Sequence, residues 1–347
     1  MDHDQNYYSL RVAAVVEETA DTRSFVLEVP AELGPVFAYE AGQFCTFRAA
    51  IDGREVVRCY SMSSTPHPGD TTLTVTVKRV PDGMMSNWMI DTLRAGDTIE
   101  TMRPAGLFVL QDRGPGRPAA PIVAFGGGSG ITPILSIIET ALATTERPIT
   151  LVYANRDADS VIFDARLREL AARLGDRLDA HFHLDSESGF LTADDCVRLV
   201  GEAGSDPAGA DFYVCGPGPY MDVVESAIAT LGVSPAQLFI ERFVVPGEHV
   251  LEERSGTESI TIRLNGRKTT VDYRMGDTIL DTARRGGLKP PFSCESGSCA
   301  TCMAHLDDGV ATMRVNNALR PDEVDDGWVL TCQGIPQSRH LTVDYDA

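Results

Sequence analysis

Cys294, Cys299, Cys302 and Cys332 stand in the pattern C-x4-C-x2-C-x29-C, within the run Pro291-Phe-Ser-Cys-Glu-Ser-Gly-Ser-Cys-Ala-Thr-Cys302. Four thiolates at this uneven spacing suit a [2Fe–2S] cluster, with three ligands from one tight loop and the fourth returning from a distant segment. Gly297 and its small neighbours let backbone N–H groups turn toward the cluster sulfurs and stabilise their negative charge. A structural zinc site usually takes two short C-x2-C pairs, and only one such pair stands here. Half of the chain's eight cysteines fall in this one segment, which argues against unrelated buried thiols. One-electron transfer is therefore expected.

A second chemistry is written in glycine. Gly126-Gly-Gly-Ser-Gly-Ile-Thr-Pro133 follows an apolar run and opens a helical pattern, with Pro133 expected as the first helical residue. Backbone N–H groups and the positive end of a helix then face a point where a pyrophosphate can sit. Such a turn also serves plain helix-on-strand packing, so its context matters. Tyr213-Val-Cys-Gly-Pro-Gly-Pro-Tyr220 supplies that context, because it ends a later strand at the edge where open parallel sheets bind ligands. Cys215 is a candidate for the wall of a nicotinamide site, or a small buried hydrophobe. Asn155 and Arg156 end the intervening strand, where an acid favours the ribose 2′-hydroxyl and an arginine a 2′-phosphate. Asp157 follows Arg156 directly, so these residues leave NADH and NADPH both open.

A hydride carries two electrons and a [2Fe–2S] cluster accepts one, so a flavin is needed between them. Arg58-Cys-Tyr-Ser61 reads as a strand, with Arg58 and Tyr60 on one face and Cys59 and Ser61 on the other. Met84-Met-Ser-Asn87 begins a helix whose free N–H groups suit a phosphate.

The elements that must position these groups divide the 347 residues into three segments. Leu10–Glu17, Arg23–Val29, Gln43–Ala49, Val56–Met62 and Thr72–Arg79 are rich in Val, Thr, Phe and Tyr, with one helix near Ser86–Leu93. They predict a small antiparallel barrel over residues 1–115. Residues 116–245 alternate strand and helix: strands at Pro121–Phe125, Ile149–Ala154, Leu178–Leu184, Phe212–Cys215 and Leu238–Phe243, helices at Pro133–Ala143, Phe163–Leu174, Asp194–Val200 and Tyr220–Leu231. That predicts a parallel sheet covered on both faces. Val244–Glu258 is polar and reads as a linker, assigned to residues 246–258. Residues 259–347 open with a hairpin signal at Asn265-Gly266, and a helix at Thr278–Arg285 precedes the cysteine loop.

The net charge is −20, and residues 259–347 hold 12 acids against 10 bases, so the acidity lies in the first 258 residues. Nucleic-acid and anionic-membrane binding are not expected of such a chain. Met1-Asp-His-Asp-Gln-Asn-Tyr is unlike a secretory signal, and no apolar run approaches the ~20 residues of a membrane span. A cytoplasmic protein is expected, where thiols stay reduced.

Taken together, Arg58-Cys-Tyr-Ser61, Thr76-Val-Lys-Arg79, Met85-Ser-Asn-Trp88, Gly128-Ser-Gly-Ile-Thr-Pro133, Tyr153-Ala-Asn-Arg156, Cys215-Gly-Pro-Gly-Pro219, Ile240-Glu-Arg-Phe243 and the four cysteines carry a resemblance over essentially the whole chain. The chain resembles ferredoxin-NADP⁺-reductase-like flavoproteins fused to a C-terminal plant-type ferredoxin of β-grasp fold. Among these it looks like the reductase components of 3-ketosteroid 9α-hydroxylase and of phenylacetyl-CoA epoxidase. Val315-Asn-Asn317 and Trp328-Val-Leu-Thr-Cys-Gln333 lean toward the steroid branch.

The resemblance implies FAD rather than FMN. It places Arg58, helped by Met85, Ser86 and Asn87, at the flavin pyrophosphate, with Tyr60 packed on the flavin and Ser61 near N5. It adds Cys59, Val77, Lys78 and Thr132 to that pocket. Gly128, Ser129, Gly130, Pro133, Arg156, Gly216 and Pro217 fall to the nicotinamide nucleotide, and Cys215 and Glu241 place its ring over the flavin. The expected path runs from NADH, with NADPH as the alternative, through FAD and the cluster to a terminal oxygenase. The linker lets the ferredoxin domain visit first the flavin and then the partner, and a monomer is expected. An electron-transfer subunit of a dehydrogenase complex is the alternative of another class. Trp88 and Met84 read as packing residues, Cys45, Cys59 and Cys196 as packed thiols, and His181 and His183 as strand residues without a metal.

Overall fold

A computed structural model of the protein describes residues 7–67, 69–112, 120–204, 206–243 and 256–347. Residues 7–104 and 108–243 make one compact unit, and the C-terminal segment makes most of another. The expected linker lies outside the described residues as far as residue 255.

In the larger unit, β1 (Tyr8–Thr19), β2 (Thr22–Glu28), β3 (Phe44–Ile51), β4 (Arg54–Ser61), β5 (Thr72–Lys78) and β6 (Thr98–Thr101) form one sheet in the order β4-β3-β6-β1-β2-β5. Every pairing is antiparallel, and a bridge from Met62 to Val75 joins the β4 edge to the β5 edge, closing the barrel. Alternation fills it: Leu10, Val12, Phe25, Leu27, Phe47, Val75 and Val77 point inward and are buried. Asp52 and Gly53 both take positive φ (51° and 73°) and set the two-residue turn that pairs Ile51 with Arg54. β6 escapes sequence reading because its four residues include one buried apolar side chain, Ile99. Helix α1 (Met84–Thr92) covers one end through Met85, Met89 and Ile90.

The rest of this unit runs β7 (Ile122–Gly127), α2 (Ile131–Thr144), β8 (Ile149–Asn155), α3 (Asp164–Arg173), β9 (Leu178–Leu184), α4 (Asp185–Ser188), α5 (Ala193–Glu202), β10 (Asp211–Gly216), α6 (Gly218–Thr230) and β11 (Leu238–Arg242). Its sheet is parallel throughout, ordered β11-β10-β7-β8-β9. β7, β8 and β10 are buried along their whole length because helices cover both faces, each face with its own apolar core. From β7 the chain goes one way to β8 and β9, then returns to place β10 on the other side of β7. The strand order therefore reverses between β7 and β10, and a crevice opens beyond their carboxyl ends. At the opposite edge Arg147 is buried and donates to the Asp211 carboxylate at 2.5 Å and to Ala120 O at 2.6 Å. Removing either charge would strand the other, a cost of about 3–5 kcal/mol.

The C-terminal unit contains β12 (Ser259–Leu264), β13 (Arg267–Asp272), α7 (Ile279–Arg285), β14 (Met303–Asp308), β15 (Ala311–Met313), α8 (Pro321–Asp325), β16 (Trp328–Leu330), β17 (Gly334–Pro336) and β18 (His340–Asp344). The main sheet is ordered β13-β12-β18-β14-β16, with β12 and β18 parallel, and β15 pairs with β17. Asn265 and Gly266 take positive φ (53° and 73°) in the β12–β13 turn. Thr278 and Asp281 cap α7 reciprocally, and its Ile279 and Ala283 bury against Ile260, Ile262 and Val343. This is the expected β-grasp. Among the described residues no helix is long and apolar enough to cross a membrane.

Candidate functional site

The crevice between β7 and β10 is built by glycine contacts. A Cβ on Gly130 would lie 2.1 Å from Cys215 O, so the loop after β7 rests directly on the backbone of the loop after β10. Gly127 and Gly216 face the Tyr220 ring, where a Cβ would come within 2.8 and 2.6 Å. Gly128 has φ +50°, and its carbonyl accepts from the Tyr153 hydroxyl at 3.0 Å. Tyr153 in turn accepts from Ile162 N at 3.2 Å, which ties the loop through β8 to the connection that leads into α3. Thr132 donates to Ser129 O at 3.0 Å and is buried.

Helix α2 begins at Ile131, not at Pro133. Pro133 is its third residue, and its missing N–H falls among the first four, which have no partner within a helix. The N-cap positions of α1, α2 and α6 are Gly83, Gly130 and Pro217, and none supplies a side-chain cap. Helices α5 and α7, by contrast, carry capping boxes. Helices α3 and α4 also lack side-chain caps, so the open N–H groups of α1 and α2 are available to a phosphate without being peculiar to the motifs.

Where the barrel meets the sheet, three expected residues come together. Cys215 and Glu241 are paired in register on β10 and β11. From the end of β4, Ser61 donates to Glu241 Oε2 at 3.1 Å, and both side chains are buried. Burial pushes the Glu241 carboxyl up to about 8, while the Ser61 hydrogen bond pulls it down. Burial, and then the Glu241 charge, raise the Cys215 thiol, which stays neutral. On the other face of β4, Tyr60 packs on Phe47 at a centroid distance of 6.0 Å, and Arg58 donates to Val57 O at 2.7 Å. Arg58 retains further N–H groups for an anion.

Other expected residues are held by the protein itself. Val77 and Met85 bury their side chains in the barrel core, leaving only backbone to a ligand. Lys78 donates to Asp21 Oδ1 at 2.8 Å. Ser86 accepts from Val80 N at 3.2 Å, Asn87 accepts from Arg79 at 3.1 Å, and Cys59 lies 3.3 Å from Thr46 Oγ1. Arg156 is exposed and approaches Asp21 Oδ2 at 4.0 Å, across the junction of barrel and sheet. Asp157 accepts from Ser160 N at 2.9 Å and caps the turn that follows, so its carboxylate is already in use. His181 pairs with Asp179, and His183 meets Gly189 O. Sequence reading missed Asp21 and gave Tyr153 no role of its own, although it opens the motif Tyr153-Ala-Asn-Arg156: an acid in a β-turn and a tyrosine in a core strand look ordinary until the fold brings them to the crevice.

In the C-terminal unit the cysteine loop takes left-handed backbone at Glu295, Gly297 and Ala300. This turns N–H groups inward, and Ser296 N and Ser298 N lie 3.5 and 3.4 Å from the Cys294 sulfur. Cys294 N points to the Cys299 sulfur at 3.4 Å. The thiols fall into two interacting pairs, Cys294 with Cys299 and Cys302 with Cys332. Among the described residues no three Cys, His, Asp or Glu side chains converge as a single metal ion requires. Paired thiols of this kind suit a cluster of two irons. Hydrogen bonding to Cys294 and burial push the Cys299 thiol well up. Leu280, Leu319 and Leu330 wall the site with apolar surface.

Three families match the chain: an oxidoreductase FAD-binding domain over residues 9–110, an oxidoreductase NAD-binding domain over 125–226, and a 2Fe-2S iron-sulfur cluster binding domain over 262–337. The ferredoxin reductase component of 3-ketosteroid-9-alpha-monooxygenase from Rhodococcus rhodochrous is 37% identical, over 99% of this chain and 98% of that relative. A component chain of the 1,2-phenylacetyl-CoA epoxidase from Escherichia coli K12 is 34% identical, over 98% of each. The solved structure of phthalate dioxygenase reductase superposes with a TM-score of 0.62 at 25% identity, covering 98% of both chains.

Proposed function

Because the chain belongs to the family of oxygenase reductase components with FAD-binding, NAD-binding and [2Fe–2S] domains, we propose that it takes a hydride from NADH and delivers single electrons to a terminal oxygenase of the 3-ketosteroid 9α-hydroxylase kind. The contact of Ser61 with Glu241 beside Cys215, at the crevice where the strand order reverses, carries this reading. When bound, FAD accepts two electrons at once and releases them one at a time to the cluster.

The chain's own residues supply binding and placement. Arg58 and the uncapped start of α1 at Met85, Ser86 and Asn87 neutralise the flavin pyrophosphate, and Tyr60 covers the flavin. Ser61 stands at the hydride-accepting edge, with Cys59, the Val77–Lys78 backbone and Thr132 around it. Gly128, Ser129, Gly130 and Pro133 hold the nicotinamide pyrophosphate, Gly216 and Pro217 the other side of the crevice. Cys215 and Glu241 orient the ring, and Arg156 meets the adenosine ribose. Cys294, Cys299, Cys302 and Cys332 ligate the cluster. Residues 1–115, 116–245 and 259–347 act as flavin, nicotinamide and ferredoxin domains, joined by 246–258, in a cytoplasmic monomer.

A second reading, an epoxidase reductase, draws on the Escherichia coli relative. Anaerobic titration with NADH, followed by visible absorption and low-temperature EPR, tests the internal path. Flavin bleaching with a rhombic cluster signal is the expected result, and bleaching without that signal would remove the cluster from the path. Single-turnover reduction of a purified 3-ketosteroid oxygenase against an epoxidase oxygenase then decides the partner.

A further inference from the structure

Gln333 follows the fourth cysteine and is buried. Its side chain folds back over that cysteine: Nε2 donates to Glu295 O at 2.9 Å and lies 3.8 Å from the Cys332 sulfur. Reversing the amide would set its oxygen against the Glu295 carbonyl, so the donor faces the loop and the sulfur. Glu295 is held from the other side as well, because Arg284 on α7 donates to both its carboxylate oxygens at 2.8 and 2.9 Å. Room for Gln333 comes from Gly297, where a Cβ would lie 3.0 Å from Gln333 Cγ and 2.7 Å from Val315 O. Gly297 also has φ +76°, so its identity is required twice.

We infer that Gln333 is a positioning residue that fastens the fourth ligand to the loop bearing the other three and donates an N–H to the Cys332 sulfur. The inference rests on the assignment of the four cysteines as cluster ligands. An N–H aimed at a ligand sulfur offsets negative charge, and the reduced cluster carries one charge more than the oxidised cluster. The donor therefore favours reduction, and its loss makes the cluster harder to reduce.

The full-length, cofactor-loaded chain is compared with Gln333→Leu and Gln333→Glu by EPR-monitored redox titration, with iron and sulfide analysis. Gln333→Leu is expected to lower the reduced-to-oxidised ratio about tenfold at a given potential, equivalent to about 59 mV for one electron. Gln333→Glu, which keeps the stem against Gly297 but replaces the donor with a charge, is expected to shift it further the same way. Iron loss from both variants, with NADH still bleaching the flavin, would support the fastening role. Wild-type potentials in iron-replete samples of either variant would overturn the proposal. A wild-type chain without iron or a cluster signal would instead refute the ligand assignment.

Discussion

Ser61, at the end of a barrel strand, donates its hydroxyl to Glu241 on the edge strand of the parallel sheet at 3.1 Å, and neither side chain reaches solvent. The two residues are 180 positions apart in sequence, yet they define where the barrel and the sheet share one site. Cys215 completes the group from the neighbouring strand.

Glu241 should make stability fall with rising pH. Its carboxyl is raised from an ordinary value of 4.5 to about 8. Below about 4.5 the folded and unfolded forms are both protonated, and the cost of burying a charge is absent. As pH rises toward 8 the unfolded chain loses this proton while the folded chain keeps it, so stability drops, by an amount on the order of a few kcal/mol. Glu241→Gln removes the dependence. The gap between the urea midpoints of variant and wild type should move in the variant's favour from pH 5 to pH 9, and a constant gap would contradict the assignment.

Cys332→Ser removes one of two thiols in the Cys302–Cys332 pair. The expected protein lacks the EPR signal and about all cluster iron, yet reduces ferricyanide with NADH at close to the wild-type rate. Reduction of cytochrome c should fall by about tenfold or more, because single-electron delivery passes through the cluster. Equal loss of both activities would place the cysteine pair in the flavin unit's function instead.

Gly130→Ala forces a methyl group to within 2.1 Å of Cys215 O. The conflict is with backbone, so no side chain can yield, and a destabilisation of about 3 kcal/mol or more is expected. The loops after β7 and β10 must part, so NADH affinity should fall as well. Urea unfolding and NADH binding, measured on the same preparation, check both consequences.

Arg156 and Asp21 bear on the choice of nucleotide. Asp157 is committed to its own turn, and Arg156 approaches Asp21, which also holds Lys78, at 4.0 Å. Arg156→Gln should lower kcat/KM for NADPH about tenfold, near 1.4 kcal/mol, and leave NADH within about twofold. Asp21→Asn frees two cations and should shift preference toward NADPH. Parallel losses for both nucleotides in Arg156→Gln would show that the arginine serves general binding.

Much of this protein was determined by sequence alone, wherever the chemistry is local. The Gly-rich loop after an apolar run, the Asn265-Gly266 turn and the alternation of strand and helix each depend on residues within one or two elements of each other, and three of the four cysteines share one loop, with residue type alone marking the fourth. The start of α2 shows the limit of that reading: an apolar residue after a Gly-rich turn can enter the helix early, and Pro133 moves inward without breaking a hydrogen bond. Only tertiary structure decided which distant groups meet. It set Ser61 against Glu241 and Arg156 near Asp21, and it closed the barrel through Met62 and Val75. It also turned Gln333 back over Cys332 onto Glu295. These contacts join segments far apart along the chain, and the pairing is chosen by strand order and burial, which no local pattern encodes. The Glu241 carboxyl makes the physical reason plain: its residue type says acid, but its proton affinity is set by water excluded from both sides once β11 docks and the barrel covers it.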